Sequence, residues 1–216
     1  MSRVPERPQP PERFAEILAE RSRALGLTLP PLADRRFAQY LAELDLWRRR
    51  FNLTGQLSSE DLADHALEAV PASSFAQISE GVRVVDIGSG AGFPAIPLAI
   101  LRPDAGFALF EPTVKKTTFL QHLVRELPLA NVLVEPRRIE EVQVETFQVA
   151  TVRGVGSLGR HVGTGRFLVP GGRLLAWTTE PEGLARDLVP FRLIATIPIP
   201  ASDRKVIAVF ERMPTE

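Results

Sequence analysis

The chain has 216 residues, with 26 basic against 26 acidic side chains, so its net charge neither demands nor excludes a nucleic-acid partner and only a local patch can supply one. It has no cysteine, which excludes disulfides and Cys-ligated zinc. Its hydrophobic share, 44%, is enough to fill one sizeable core, and no apolar run reaches the length that spans a membrane.

Residues 1–11 are rich in Pro and Arg and lack the apolar stretch of a secretory signal, so they are expected to form a disordered tail on a cytoplasmic protein. A helical extension is expected over 12–80. Phe14, Ile17, Leu18 and Leu25 recur at helical intervals over 12–25, and Gly26 is a stop signal. A second helix is expected from 31 or 32 to about 50, with Phe37, Tyr40, Leu41, Leu44 and Trp47 on one face. A third begins with Ser58 or Ser59 as cap, carries Glu60 and Asp61 in its first turn, and is disturbed by Pro71.

From residue 81 the texture becomes alternating strand and helix, which predicts a mostly parallel sheet sandwiched by helices over 81–216. Strands are expected over 83–87, 107–110, 132–135, 149–153 and 173–177, with a closing hairpin over 193–199 and 205–210. Helices are expected over 94–101 and 114–127. Between 153 and 173 Gly156, Gly159, Gly163 and Gly165 weaken any helix.

The first strand runs into Asp86-Ile87-Gly88-Ser89-Gly90-Ala91-Gly92-Phe93-Pro94. An acid at a strand end, alternating glycines and a following helix place a cofactor site at the carboxyl edge of a parallel sheet. A dinucleotide fingerprint, G-x-G-x-x-G, needs a third glycine where Phe93 stands, which disfavours a nicotinamide cofactor. The D-x-G-x-G-x-G spacing resembles motif I of methyltransferases that use S-adenosylmethionine (SAM). That ligand carries no phosphate; it needs close backbone approach and a polar anchor for its amino-acid end. Asp86, Gly88, Gly90 and Phe93 are therefore candidate cofactor residues.

Glu111, at the end of the second strand, is spaced as a ribose-binding acid. The segment Arg137-Arg138-Ile139-Glu140-Glu141 can place an apolar side chain, Ile139, against an adenine face and polar groups at its edge. Arg153, at the end of the fourth strand, can hold a carboxylate, a phosphate or a substrate base. Lys115, Lys116 and Lys205 are the only lysines. Arg48-Arg49-Arg50, Lys115-Lys116, Arg137-Arg138 and Arg204-Lys205 are local basic clusters that form an RNA surface only if the fold gathers them on one rim.

The methyl acceptor is narrowed by what is missing. Carbon-5 of a pyrimidine needs a thiolate, and there is none. The segment after the fourth strand, Arg153-Gly154-Val155-Gly156, is not the N/D-P-P-aromatic pattern used for exocyclic adenine amines. Ribose hydroxyls need a base, often a lysine, and lysines are scarce here. A purine ring nitrogen has an available lone pair and needs only orientation.

At these residues the chain resembles the RsmG (GidB) family, bacterial methyltransferases that modify a guanine N7 of 16S rRNA. Phe51-Asn52-Leu53-Thr54 and His65-Ala66-Leu67-Glu68 are similar to the family's W-N-L-T and H-x-L-D/E elements, and 86–100 to its D-x-G-x-G-x-G-x-P-G-I-P-L-A-I run. Lys115-Lys116 with Phe119-Leu120, Arg138-Ile139-Glu140-Glu141, and Arg153 with Ser157-Leu158 resemble its K-R-x-x-F-L, R-x-E-E and R-x-x-x-S-L elements. The resemblance implies a class I SAM-dependent methyltransferase fold with a seven-stranded, Rossmann-like sheet. It implies SAM contacts at Gly88, Phe93, Ile139, Glu140 and Arg153, and catalytic or RNA roles for Asn52, His65, Arg138 and Arg204. It also implies 16S rRNA or a small-subunit precursor as partner; no membrane, no metal site and a monomer are expected. Ala95 replaces a family glycine, and Thr178 stands where an A-x-K-G context carries a lysine. The alternatives are a methyltransferase of this fold acting on another RNA or a small molecule, or a non-catalytic SAM- or RNA-binding module.

Overall fold

The computed structural model describes residues 8–75, 78–142, 146–156, 158–163, 165–200 and 202–214. Most of the expected tail, 1–7, lies outside them, and the first helix begins inside the expected tail, at residue 11.

Helix α1 (Pro11–Ala24) buries Phe14, Ile17 and Leu18. Gly26 ends it in the left-handed region, φ +64°, and the Leu27 N–H closes on the Ser22 carbonyl at 2.8 Å. Helix α2 (Pro31–Arg48) turns Phe37, Tyr40, Leu41 and Leu44 fully inward, the stripe its periodicity predicts. Helix α3 (Ser59–Leu67) starts at a reciprocal cap. The Ser58 hydroxyl accepts from the Asp61 N–H (3.0 Å), and the Asp61 carboxylate accepts from the Ser58 N–H (2.8 Å). Pro71 does not continue α3. It sits in the first turn of a separate short helix, α4 (Val70–Ser73), where its missing N–H leaves no bond unmade.

Seven strands follow: β1 (Arg83–Ile87), β2 (Gly106–Phe110), β3 (Val132–Glu135), β4 (Phe147–Arg153), β5 (Leu168–Thr178), β6 (Phe191–Pro198) and β7 (Val206–Arg212). Their order in the sheet is β3-β2-β1-β4-β5-β7-β6. The β1, β2, β3, β4 and β5 pairings are parallel, and β7 runs antiparallel between β5 and β6. This is the class I SAM-dependent methyltransferase fold. The helices between the strands are α5 (Ala95–Leu101), α6 (Val114–Glu126), α7 (Leu158–Val162) and α8 (Pro181–Asp187).

Alternate strand residues face two cores. Val84, Phe107, Leu109, Val149 and Leu175 join α1, α2, α3, α5 and α6 in one cluster. Val85, Ile87, Phe110, Ala150, Val152 and Leu174 join α7 and Ile139 in the other. The helical extension therefore shares a continuous apolar core with one face of the sheet.

The differences from the expectation are local. The glycines around α7 leave a five-residue helix, and β5 starts five residues earlier than expected, at Leu168. Helix α8 was not anticipated; it has seven residues, holds Gly183 and buries none of its side chains, so it carries no periodic signal.

Candidate active site

The loop after β1 turns through three left-handed glycines: Gly88 (φ +69°), Gly90 (φ +55°) and Gly92 (φ +99°). A Cβ on Gly88 would lie 2.9 Å from Val155, and one on Gly92 would lie 2.7 Å from Ile96 and 3.2 Å from the Tyr40 hydroxyl. A Cβ on Gly90 would meet only the Gly88 carbonyl, at 3.7 Å, so the backbone there can be approached. The loop is held from both sides. The Gly88 and Ser89 N–H groups donate to the Phe110 carbonyl at the end of β2, and the Tyr40 hydroxyl of α2 donates to the Ala91 carbonyl at 2.8 Å. Burial holds the Tyr40 phenol well above its ordinary pKa, so it stays a donor.

Two carboxylates stand under the loop. Asp86 is 1% exposed; Oδ1 accepts from the Thr151 hydroxyl at 2.6 Å, while Oδ2 is buried without a protein partner. Burial pushes its carboxyl up to about 7, against the pull of the Thr151 and Ser89 hydroxyls. Glu111 accepts from the Gly90 N–H at 3.0 Å and from the Thr113 N–H at 2.8 Å. This donor set fits a nucleoside that bears an amino-acid tail and no phosphates. It offers acids for hydroxyls and an ammonium, an open backbone, and an orphaned buried oxygen.

Beside the loop, Phe93 is the hub of a second group. Its ring meets Tyr40 edge-on at 5.3 Å and His65 at 5.7 Å, and the Arg153 guanidinium lies 5.8 Å from its centroid. Arg153 donates to the His65 carbonyl at 3.3 Å and pairs with Glu68 at 2.9 Å. Burial pushes His65 down to about 4, aided by the Arg153 and Lys205 charges and opposed by Asp61 and Asp64, so its imidazole is neutral at physiological pH. The Lys205 ammonium donates to the other Glu68 oxygen at 3.0 Å, and the Trp177 indole donates to the Glu68 carbonyl at 3.2 Å. Glu68, Arg153, Trp177, Thr178 and Lys205 line a cavity of about 330 Å³ beyond the ends of β4 and β5. That edge of an open parallel sheet is where ligands sit.

A model for the family described as "rRNA small subunit methyltransferase G" matches residues 33–181. The chain belongs to this family. It is 39% identical over 150 residues to ribosomal RNA small subunit methyltransferase G of Roseiflexus sp. (strain RS-1), a match covering 66% of this chain and 63% of that one, so the chain spans less than two thirds of that relative. It is 32% identical over 193 residues to the protein of the same name from Glaesserella parasuis, covering 84% of this chain and 91% of the relative. A SAM-dependent methyltransferase from Aquifex aeolicus shares the fold, with TM-score 0.53 and 16% identity over 67% of this chain and 90% of that one.

Within this rRNA methyltransferase G frame, the site residues expected from sequence fall into separate groups. Asp86, Gly88, Gly90 and Glu111 gather at the glycine loop after β1, and Phe93, His65 and Arg153 form one contact group beside it. Ile139 is 2% exposed in the second core, on a 3-10 turn whose Glu140 carboxylate accepts from His161 Nδ1 at 2.7 Å. Asn52 is exposed next to Phe51, whose ring carries the Lys115 ammonium at 5.7 Å. Lys116 is half-buried on α6, and Arg138 and Arg204 are exposed on other segments. No hydrogen bond, ion pair or ring contact among the described residues joins Asn52, Lys115, Lys116, Arg138 or Arg204 to the Phe93 group. Ser157, part of the R-x-x-x-S-L element, lies outside the described residues. Sequence reasoning missed Glu68 as a functional group, although a carboxylate inside the apolar run Ala66-Leu67-Glu68-Ala69-Val70 is a readable sign of a buried, paired charge.

Proposed function

We propose that this protein transfers a methyl group from SAM to N7 of a guanine in 16S rRNA. The observation that carries the reading is the adjacency of the glycine loop to a cavity lined by Trp177 and by the charged side chains of Glu68, Arg153 and Lys205, in a member of the rRNA methyltransferase G family. Bound SAM supplies an electrophilic methyl on a cationic sulfur. The roles that follow belong to this chain's own residues. Gly88 and Gly90 bring the backbone close to the cofactor, Glu111 takes its ribose hydroxyls, and the free Asp86 oxygen takes its ammonium. Ile139 and Glu140 bound its adenine, and Arg153 faces its carboxylate.

Guanine N7 carries no proton at neutral pH, so no general base is needed. Bound SAM would supply the methyl and keep the electron pair of the bond it gives up, so this chain's residues have only to orient the N7 lone pair. Phe93 and neutral His65 wall this centre without adding a like charge beside the sulfonium, and they exclude water. Asn52 and Arg204 position the RNA, with Lys115, Lys116 and Arg138 meeting its phosphates. The protein acts as a cytoplasmic monomer. What supports the monomer is that its exposed large apolar side chains, such as Leu32, Leu133 and Val189, lie on separate segments of the chain.

The test is methyl incorporation from labelled SAM into small subunits isolated from cells that lack this modification, with the modified atom mapped by mass spectrometry. The expected product is a single N7-methylguanine in 16S rRNA. No incorporation at saturating SAM, or a methyl on another atom, overturns the proposal.

A further inference from the structure

Two cations enter the acceptor cavity from different elements, and one buried carboxylate holds both. Arg153 comes from the end of β4: one nitrogen pairs with Glu68, another donates to the His65 carbonyl, and its guanidinium carbon lies over the Phe93 ring. Lys205 comes from the connection between β6 and β7. Its side chain is 45% exposed, against 10% for Glu68, and among the described residues Glu68 is its one side-chain partner. An ammonium has three donors, so two remain for a ligand in the cavity that Lys205 lines with Trp177, Thr178 and Thr179. The neighbouring Arg204 is exposed and suited to a phosphate, whereas Lys205 turns its ammonium to Glu68.

A half-exposed ion pair contributes little to folding, and its ammonium stays accessible to a ligand. We infer that Lys205 donates a hydrogen bond to O6 of the acceptor guanine and that Glu68 is the residue positioning it. The inference rests on the guanine-N7 reading and adds how the base is chosen. N7 and O6 share one edge of guanine. When N7 points at the methyl, O6 projects beside it and requires a donor, while adenine presents its own amino donor there and is rejected. Glu68 also offsets part of the positive charge of Arg153 and Lys205, which lessens their opposition to the positive charge that develops on the methylated base.

The experiment uses small subunits reconstituted with 16S rRNA that carries either guanine or 2-aminopurine at the target; 2-aminopurine keeps N7 and lacks O6. Single-turnover methyl transfer is measured for wild type, Lys205→Met, Lys205→Arg and Glu68→Gln, with SAM affinity and thermal midpoint measured alongside. Wild type is expected to lose roughly 10–100-fold on 2-aminopurine. Lys205→Met is expected to lose a comparable factor on guanine and to treat the two bases alike within about twofold, at unchanged SAM affinity. Lys205→Arg keeps a donor and restores discrimination, and Glu68→Gln discriminates less than wild type. If Lys205→Met loses the same factor on both bases, Lys205 contacts the backbone instead and the inference is wrong; full discrimination in that variant also overturns it. A wild type that leaves guanine unmethylated removes the guanine-N7 reading itself, an outcome distinct from either.

Discussion

Asp86→Asn separates the electrostatics of the cofactor loop from its packing. An ordinary aspartate ionises near 3.9, whereas burial pushes folded Asp86 up to about 7. Between those values the folded chain keeps a proton that the unfolded chain releases, so its stability falls as pH rises through the window and is flat outside it. Three units at ~1.4 kcal/mol each bound the effect at ~4 kcal/mol, of which ~3 kcal/mol falls between pH 5 and 8. Asparagine keeps an acceptor for the Thr151 hydroxyl and has no charge to bury; its amide N–H₂ replaces the partnerless Oδ2 at a pH-independent cost of about 1–3 kcal/mol. Urea unfolding without cofactor at pH 5, 6, 7 and 8 should therefore show Asp86→Asn gaining on wild type by a few kcal/mol across the series. The difference must be used, because His65 has the opposite sign. Its pKa is pushed down to about 4, so its contribution is full above 6.5 and is lost as pH falls towards 4. Parallel stability profiles for the two proteins would refute the buried, protonated Asp86. If Asp86 also meets the cofactor ammonium, wild-type SAM affinity rises with pH up to about 7 and that of the variant does not.

Other substitutions test the rest of the site. Gly92→Ala places a side chain at φ +99° and 2.7 Å from Ile96, and should destabilise by about 2–5 kcal/mol, read as a fall in thermal midpoint of roughly 5–15 °C. Glu111→Ala removes the acceptor of the Gly90 N–H and the proposed ribose partner; calorimetry should show SAM binding weakened about 10–100-fold, and undiminished binding would place the ribose elsewhere. Glu68→Ala leaves the mostly buried Arg153 unpaired and should cost about 3–5 kcal/mol in chemical denaturation. The methyl-transfer rate should show no imidazole limb near pH 6.5, because His65 ionises at about 4; such a limb, abolished by His65→Gln, would make it an acid or base.

The elements that position the site were legible where one physical signal dominated. Apolar alternation fixed the strands from β1 to β4 to within two residues, and the glycines after Asp86 marked the tight loop at the end of β1 because only glycine tolerates φ +69° and +99° at such close approach. Ser58 and Gly26 were legible as chain punctuation for the same reason. Pairings distant in sequence were not. The bond of Lys205 to Glu68 spans 137 positions, and that of Trp177 to the Glu68 carbonyl spans 109. Neither residue has a local pattern that names its partner. Lys205 read only as half of a basic dipeptide, and Thr178 only as a missing lysine; the sheet register then sets Thr178 across from Val206, next to Lys205.

The hydroxyl of Tyr40 reaches 51 positions along the chain to the carbonyl of Ala91, while its ring abuts Phe93. The second helix thus works as a strut under the cofactor loop and not as an ornament beside a self-sufficient catalytic half. A version trimmed to the sheet and its crossovers would lose the prop along with the helix, and any grafting of foreign RNA-recognition segments onto this scaffold has to preserve that one side chain.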